Sequence, residues 1–247
     1  MSASGPRGGH ERPLRAVLFD VDFTLAKPGP LLGGPGYRDA AARFGLSLDP
    51  DRYPDARVAA LEDLQRHPEL DHDEEIWIRF TEDILRGMGA DGPDVREIAL
   101  EITRGWERSE NFELYEDVLP ALDALRAHGL KLALVSNTSR DLEAFIRHFR
   151  LDVDAWISSG WHGKVKPSPS IFRAVLELLE AEPEEAAMVG DSPDDDVAGA
   201  RALGMRAFLL DRERRYPGRG DALPDLRALP AALGLVVATD TGSGRGG

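Results

Sequence analysis

The chain has 247 residues, 42% of them apolar and 30% charged, which is typical of a globular protein long enough to bury a sizeable core. Its formal net charge of −14 disfavours nucleic acid and anionic membranes as partners. The lack of cysteine excludes disulfides, thiolate catalysis and cysteine metal sites, and it fits a reducing compartment. No apolar run reaches membrane-spanning length and no signal peptide is recognisable, so we expect a cytoplasmic protein.

The first part of the chain contains one predicted strand followed by a helical stretch. Residues 1–13 are Gly-rich and polar, and we expect them to be disordered. The apolar run 16–19 predicts a strand buried on both faces of a parallel sheet, and the Pro- and Gly-rich segment 28–36 predicts a linker. From residue 37 to residue 110 apolar side chains recur at helical spacing, as in the series Ile76, Phe80, Ile84 and Met88. We therefore expect a separate all-helical module here.

After residue 113 the pattern changes to short apolar strands that alternate with helices. Strands are predicted at 132–135, 155–158, 186–189 and 206–210, and helices at 120–128, 140–149, 168–179 and 197–203. Alternating units of this length predict an α/β fold with a doubly wound parallel (Rossmann-like) sheet. The predicted organisation is a core formed by residues 14–28 and 113–235, an inserted helical domain at 29–112 and a flexible tail at 236–247.

Polar side chains follow the predicted strands at their carboxyl ends, where open α/β sheets bind ligands. In strand order they are Asp20, Asp22 and Thr24, then Ser136 and Asn137, then Lys164 and Lys166, and finally Asp191, Ser192, Asp194, Asp195 and Asp196. Carboxylates at neighbouring strand ends can share one hard cation, and oxygen ligands suit Mg²⁺. We therefore expect Mg²⁺ between Asp20 and Asp191.

Asp20 and Asp22 leave the first strand on one loop, which suits a nucleophile and a proton shuttle. An aspartate that attacks phosphorus forms an aspartyl-phosphate, while a second carboxyl group protonates the leaving alkoxide and later deprotonates water. An acidic pair that merely caps a turn is the alternative interpretation. Asp194 and Asp195 fit a helix N-terminus, whereas Asp196 suits either a metal site or an ion pair with Lys166.

Positive charge is needed if this acidic site is to bind a phosphate. Only four of the 30 basic residues are Lys, and two of them, Lys164 and Lys166, lie on one predicted loop. A compact ammonium stabilises a single oxygen, so its use in an arginine-rich chain favours a specific role, which we assign to Lys166. Lys164 is expected to be a solvated surface residue. Ser136 is a candidate ligand of phosphoryl oxygens, with a helix cap as the alternative.

Four segments, in this order, resemble the motifs of the haloacid dehalogenase-like hydrolase superfamily. They are residues 19–25, 134–138, 166–172 and 189–200. The position of the helical insert resembles that of the cap in the family's first cap subclass. Phe23 stands where family members often have Gly, and we expect it to narrow the site or to contact the cap.

The resemblance implies a role for each matching residue. Asp20 matches the nucleophile and a magnesium ligand, and Asp22 matches the general acid/base, whose backbone carbonyl is a further ligand. Ser136 matches the phosphoryl-binding hydroxyl and Lys166 the lysine that stabilises the nucleophile and the phosphoryl charge. Asp191 matches the acidic metal ligand and Asp196 the second acidic position of that motif. Thr24 and Asn137, which lie beside these positions, are included as candidate phosphate-binding residues.

These residues predict a Mg²⁺-dependent phosphomonoester hydrolase that acts on a small phosphorylated metabolite. The alternatives are a haloacid dehalogenase, a phosphomutase and a catalytically silent binding module. Asp22 argues against a dehalogenase, because displacement of halide at carbon requires no proton, and retention of every expected polar group argues against a silent module. A phosphomutase needs a phosphorylated enzyme that outlives water attack, which the sequence does not reveal. The substrate and the oligomeric state also stay open.

Overall fold

The computed structural model describes residues 12–66, 74–220 and 222–235, so the expectations for residues 1–11 and 236–247 lie outside the described residues. In chain order the strands are β1 (Ala16–Phe19), β2 (Ala26–Pro28), β3 (Phe112–Leu114), β4 (Lys131–Ser136), β5 (Ala155–Ser158), β6 (Ala186–Gly190), β7 (Arg206–Leu210) and β8 (Ala222–Leu223). A six-stranded sheet has the order β5-β4-β1-β6-β7-β8, and all its pairings are parallel. This confirms the predicted α/β fold class.

Ten helices are present in the described residues; the first four follow one another between β2 and β3, and the others are distributed among the later strands. They are α1 (Gly34–Ala42), α2 (Tyr53–Gln65), α3 (Glu74–Gly87), α4 (Val95–Trp106), α5 (Val118–Ala127), α6 (Leu142–Phe149), α7 (Ser159–His162), α8 (Pro169–Leu179), α9 (Gly199–Ala202) and α10 (Leu229–Ala232). Within the described ranges, no helix combines the length and the apolar character that a membrane span requires.

Strand β1 lies at the centre of the sheet and is buried on both faces. Val17 and Phe19 pack into an apolar layer with α5 and α6, whereas Ala16 and Leu18 pack into the opposite layer with α8. This accounts for the wholly apolar run, because a strand covered on both sides has no solvent-facing positions. In the register of the sheet, Phe19 is paired with residues of both β4 and β6. The segments that leave these strands therefore start side by side at one edge.

Helices α1–α4, here called the helical insert, form a third apolar cluster of their own. The predicted helical face is confirmed, since Ile84 and Met88 are buried there and Phe80 packs against the cluster. An antiparallel ribbon of β2 and β3 connects the insert to the core, and this ribbon was not predicted. Each of these strands has only three residues and lacks a repeated apolar alternation.

Several predicted boundaries were wrong. The segment 28–36 is not a linker, because it contains a 3₁₀ turn, Pro30–Leu32, and the start of α1 at Gly34. A Cβ on Gly36 would lie 2.0 Å from the carbonyl oxygen of Leu31, so close packing requires glycine there. Helix α6 begins two residues later than predicted, with Asp141 as its N-cap. The segment predicted as one helix at 197–203 is a π-helical turn, Pro193–Ala198, followed by α9.

Candidate active site

A cavity of about 230 Å³ lies between the carboxyl ends of the parallel strands and the helical insert. The core contributes acidic and polar groups to it, among them Asp20, Asp22, Ser136, Asn137, Lys166, Asp191, Ser192 and Asp196. The insert contributes four apolar side chains, Leu61, Trp77, Phe80 and Trp106, and four polar or charged ones, Arg57, Thr81, Thr103 and Glu107. Seven of the eight predicted site residues thus line one cavity, although they come from four separate segments of the chain.

A buried ammonium joins two carboxylates on the floor of this cavity. Lys166 Nζ donates hydrogen bonds to Asp20 Oδ1 and to Asp196 Oδ1, each at 2.6 Å. The backbone N–H of Ser192 donates to Asp196 Oδ2 at 3.0 Å, so both oxygens of Asp196 accept hydrogen bonds. Among the described residues, none donates a hydrogen bond to Asp20 Oδ2, which leaves that oxygen available for chemistry.

The charges on this floor influence one another strongly. Burial alone lowers the pKa of Lys166, but Asp196 and Asp20 outweigh it and raise the pKa of the ammonium above its ordinary value. Burial raises the pKa of Asp20 well above the usual aspartate range, against the attraction of Lys166, and repulsion from Asp196 and Asp191 adds to the rise. The pKa of Asp191 is raised to about 6 by burial and by Asp196, although Arg215 opposes the shift.

Three carboxylates in this cavity have the arrangement of a cation site. One oxygen each from Asp20, Asp191 and Asp196 lie within 4.8 Å of one another. A hard divalent cation prefers such oxygen ligands and would relieve their mutual repulsion. Arg215 also approaches this group, since its guanidinium donates to Asp191 Oδ2 at 2.9 Å. The donor set therefore fits a divalent cation.

Residue 190, at the end of β6, must be glycine because it lies against the carboxylate of Asp196. A Cβ on Gly190 would lie 2.0 Å from Asp196 Oδ2, inside the space that the carboxylate occupies. The last residue of β6 must therefore lack a side chain if Asp196 is to reach Lys166.

Arg140 was missed by the sequence analysis, which placed it at the start of a helix. Its guanidinium donates to Asp22 Oδ1 at 2.9 Å and to Asp22 Oδ2 at 3.1 Å. Its Nε donates to the carbonyl oxygen of Trp106, at the end of α4, and its plane stacks 3.8 Å from the ring centroid of Phe112. Arg140 thus connects Asp22 to the helical insert. No local pattern distinguishes it in sequence from the chain's other arginines.

Asn137 and Thr24 do not have the surroundings expected of phosphate ligands. The side-chain amide of Asn137 accepts from the backbone N–H of Lys166 at 2.7 Å and donates to its carbonyl oxygen at 3.1 Å. Asn137 lines the cavity, but its amide holds the Lys166 loop. Thr24 is fully buried and is not among the described residues that line the cavity. The structure therefore does not bring Thr24 to the predicted substrate position.

The positions of three further residues agree with the sequence, whereas Asp195, expected only at a helix N-terminus, also lines the cavity. Ser136 is buried and lines the cavity, and Lys164 is exposed while Lys166 is buried. Asp194 is exposed at the start of the π-helical turn, as expected for a helix N-terminus.

Phe23 contacts the helical insert, as expected. Its backbone has φ of 63°, a left-handed conformation that side chains rarely adopt. The Arg57 guanidinium lies 4.0 Å from the centroid of the Phe23 ring, and the Trp106 ring lies 6.5 Å from it. Phe23 therefore forms part of the boundary between the core and the insert.

With this site and fold established, comparison with known proteins identifies the class. A family model described as haloacid dehalogenase-like hydrolase matches residues 14–204, and the chain belongs to this family of hydrolases.

Individual relatives span nearly the whole chain. Haloacid dehalogenase-like hydrolase domain-containing protein 3 of Bos taurus is 30% identical over 94% of this chain and 96% of its own length. Glyceraldehyde 3-phosphate phosphatase of Methanopyrus kandleri is 31% identical over 86% of this chain and 91% of its own. A crystal structure of a HAD phosphatase from Thermococcus onnurineus superposes with a TM-score of 0.60 and 28% identity, covering 90% of this chain and 98% of the other.

Proposed function

We propose that the protein is a Mg²⁺-dependent phosphomonoester hydrolase that acts on a small phosphorylated metabolite through an aspartyl-phosphate on Asp20. One observation supports this most: Asp20 and Asp22 line the same cavity, whose floor combines a buried ammonium with two more carboxylates. A relative that is named glyceraldehyde 3-phosphate phosphatase, aligned over most of the chain, agrees with this activity.

In the first step, Asp20 Oδ2 attacks the phosphorus, and the phosphorus–oxygen bond to the leaving alcohol breaks. Lys166 holds Asp20 Oδ1 at 2.6 Å, which fixes the direction of the free oxygen and offsets charge on the phosphoryl group. Asp22 donates a proton to the leaving oxygen and, in the second step, takes one from the water that releases phosphate. Ser136 and nearby backbone N–H groups bind phosphoryl oxygens in this proposal.

The other elements of the site assist these steps. Asp20, Asp191 and the backbone carbonyl of Asp22 would hold Mg²⁺, which supplies charge neutralisation between the carboxylate and the phosphate dianion. We assign Asp196 to Lys166 in preference to the metal, because both of its oxygens already accept hydrogen bonds from the protein. The helical insert, residues 29–112, acts as a cap that excludes water from the site.

Removal of Mg²⁺ should abolish turnover. We expect excess chelator to stop hydrolysis of p-nitrophenyl phosphate and added Mg²⁺ to restore it, because three clustered carboxylates otherwise repel the substrate. Mg²⁺ should also raise the melting temperature of the wild type more than that of Asp191→Asn. Asp194→Asn is the control, since Asp194 is exposed and should leave both effects intact. Full activity in excess chelator would refute the metal site.

Replacement of Asp22 should affect substrates according to their leaving groups. For Asp22→Asn we expect kcat/KM to fall by about 10²–10⁴-fold for an alkyl phosphate, whose alkoxide needs a proton to depart. The fall should be much smaller for p-nitrophenyl phosphate, because its phenolate leaves without one. kcat/KM suits this test because it does not include the later dephosphorylation. An equal loss for both substrates would argue against proton donation by Asp22, and thermal unfolding would show whether Arg140 still packs.

A further inference from the structure

Asp22 is held by a cation of its own, distinct from the one that holds Asp20. Arg140 donates one hydrogen bond to each oxygen of Asp22, at 2.9 Å and 3.1 Å. Two parallel bonds from a guanidinium fix the plane of a carboxylate as well as its position. Both side chains line the cavity, that of Arg140 being 1% exposed and that of Asp22 22% exposed. Because a carboxylate has about four lone-pair sites, Asp22 keeps acceptor capacity for a proton or a water molecule.

The guanidinium of Arg140 is itself fixed by its surroundings. Its Nε donates to the carbonyl oxygen of Trp106 at 3.0 Å, and its Cζ lies 3.8 Å from the ring centroid of Phe112, which is buried. The backbone N–H of Arg140 donates to Thr138 Oγ1 at 3.1 Å. The two terminal nitrogens are left for Asp22. The direction of Asp22 is therefore set by a group that has little freedom to move.

This pairing separates Asp22 from the other carboxylates of the site. The group that can share a cation consists of Asp20, Asp191 and Asp196, each with an oxygen within 4.8 Å of the others. Among the described residues, the side chain of Asp22 does not belong to this group. A carboxylate that turned toward a divalent cation there would become a further ligand and would be unavailable to carry a proton. Arg140 opposes this turn because it binds both oxygens of Asp22.

We propose that Arg140 is the positioning residue of the proton shuttle: it fixes the direction of Asp22 for proton transfer and keeps its side chain out of the cation site. This inference rests on the proposed phosphatase function. Arg140 acts through Asp22 and has no contact with the reacting atoms. Its loss should therefore affect the steps in which Asp22 moves a proton, and it should affect departure of an alcohol only where the alcohol needs that proton.

A matched pair of substrates isolates proton transfer. Benzyl phosphate and p-nitrophenyl phosphate have rings of similar size, but only the benzyl alkoxide needs a proton to depart. We expect Arg140→Met to lower kcat/KM for benzyl phosphate by about 10- to 100-fold, as for other misplaced catalytic groups, and to lower it much less for p-nitrophenyl phosphate. Because both constants are measured on one preparation, their ratio does not depend on the folded fraction.

The conservative variant Arg140→Lys keeps a charge beside Asp22 without the planar fork. It should give a smaller loss for benzyl phosphate than Arg140→Met, and it provides the same test if Arg140→Met does not fold.

A double-mutant cycle shows whether Arg140 acts through Asp22. In the Asp22→Asn background the shuttle is already lost, so Arg140→Met should cost almost nothing more with benzyl phosphate. A further loss of the same size in that background would mean that Arg140 contacts the substrate or supports the site as a whole, and it would overturn the inference.

Arg212→Met is the matched control, because Arg212 makes the same kinds of contact without touching the side chain of Asp22. Its guanidinium donates to Asp117 Oδ2 at 3.0 Å and to the carbonyl oxygen of Thr24 at 2.8 Å, and it lies 3.8 Å from the ring centroid of Tyr115. Any loss in this variant should be equal for the two substrates. A selective loss of benzyl phosphate hydrolysis here would show that general loosening of the core produces the pattern.

The remaining outcomes separate this inference from the proposed function. Equal losses for both substrates in Arg140→Met, with a selective loss in Asp22→Asn, would overturn the inference and leave the proposed function standing. If the wild type hydrolysed neither compound, both would be overturned.

Discussion

The Asp20→Asn variant should lose turnover by about four orders of magnitude or more, because an amide oxygen cannot form the acyl-phosphate link. The substitution preserves the shape of the side chain, and the amide oxygen can still accept the hydrogen bond from Lys166. Folding should therefore survive. Steady-state rates with p-nitrophenyl phosphate, together with thermal unfolding, measure the two expectations separately.

The site explains why this variant should remain folded. Burial and two nearby carboxylates raise the pKa of Asp20 even with the Lys166 ammonium beside it, so its negative charge is unfavourable in the folded protein until a metal ion is bound. Asn removes that charge, and the metal-free variant should be at least as stable as the metal-free wild type.

A second measurement tests the covalent intermediate. Rapid-quench mass spectrometry should detect a phosphorylated wild-type protein during turnover and no such species in Asp20→Asn. Asp194→Asn makes the same chemical change at an exposed aspartate of the same edge and should behave like the wild type. Near-normal turnover by Asp20→Asn would exclude Asp20 as the nucleophile.

The sheet was predictable because its main strands are buried on both faces. β1, β4 and β6 contain almost unbroken apolar runs, which are typical of strands in a parallel sheet with helices on both sides. β2, β3 and β8 were missed because they have only two or three residues and are half-exposed. These short strands pair because the longer elements of the fold bring them side by side, and their own sequences do not reveal this.

The acidic and ammonium groups of the site were predictable for a geometric reason. Parallel strands in register place their carboxyl ends together, so Asp20, Asp191 and the Lys166 loop had to lie near one another. The direction in which a side chain points was less predictable than the position of its residue along the chain. Thr24 lies only two residues from Asp22, yet it is buried and is not among the described residues that line the cavity. Arg57 and Arg140 were missed because their contacts depend on how the helical insert sits on the core.

Replacement of Lys166 by Met should reduce both rate and stability. We expect kcat to fall by about 10²–10³-fold, as for other preorganised groups that stabilise charge in a transition state. Lys166 is 3% exposed and holds Asp20 and Asp196, so its loss leaves buried carboxylates without their cation. Removal of one partner from a buried ion pair typically costs about 3–5 kcal/mol of unfolding free energy. Denaturant unfolding and steady-state kinetics, each with and without Mg²⁺, measure these effects.

Two further variants separate the rate effect from the stability effect. Lys164→Met removes a neighbouring but exposed ammonium and should change neither quantity; a rate loss there instead would assign the role to Lys164. The double variant Lys166→Met/Asp196→Asn removes the second buried charge as well, so it should recover part of the lost stability. It should recover none of the rate, because Asp20 still lacks the ammonium that orients it and offsets phosphoryl charge. If stability and rate recovered together, the contribution of Lys166 would be structural and not catalytic.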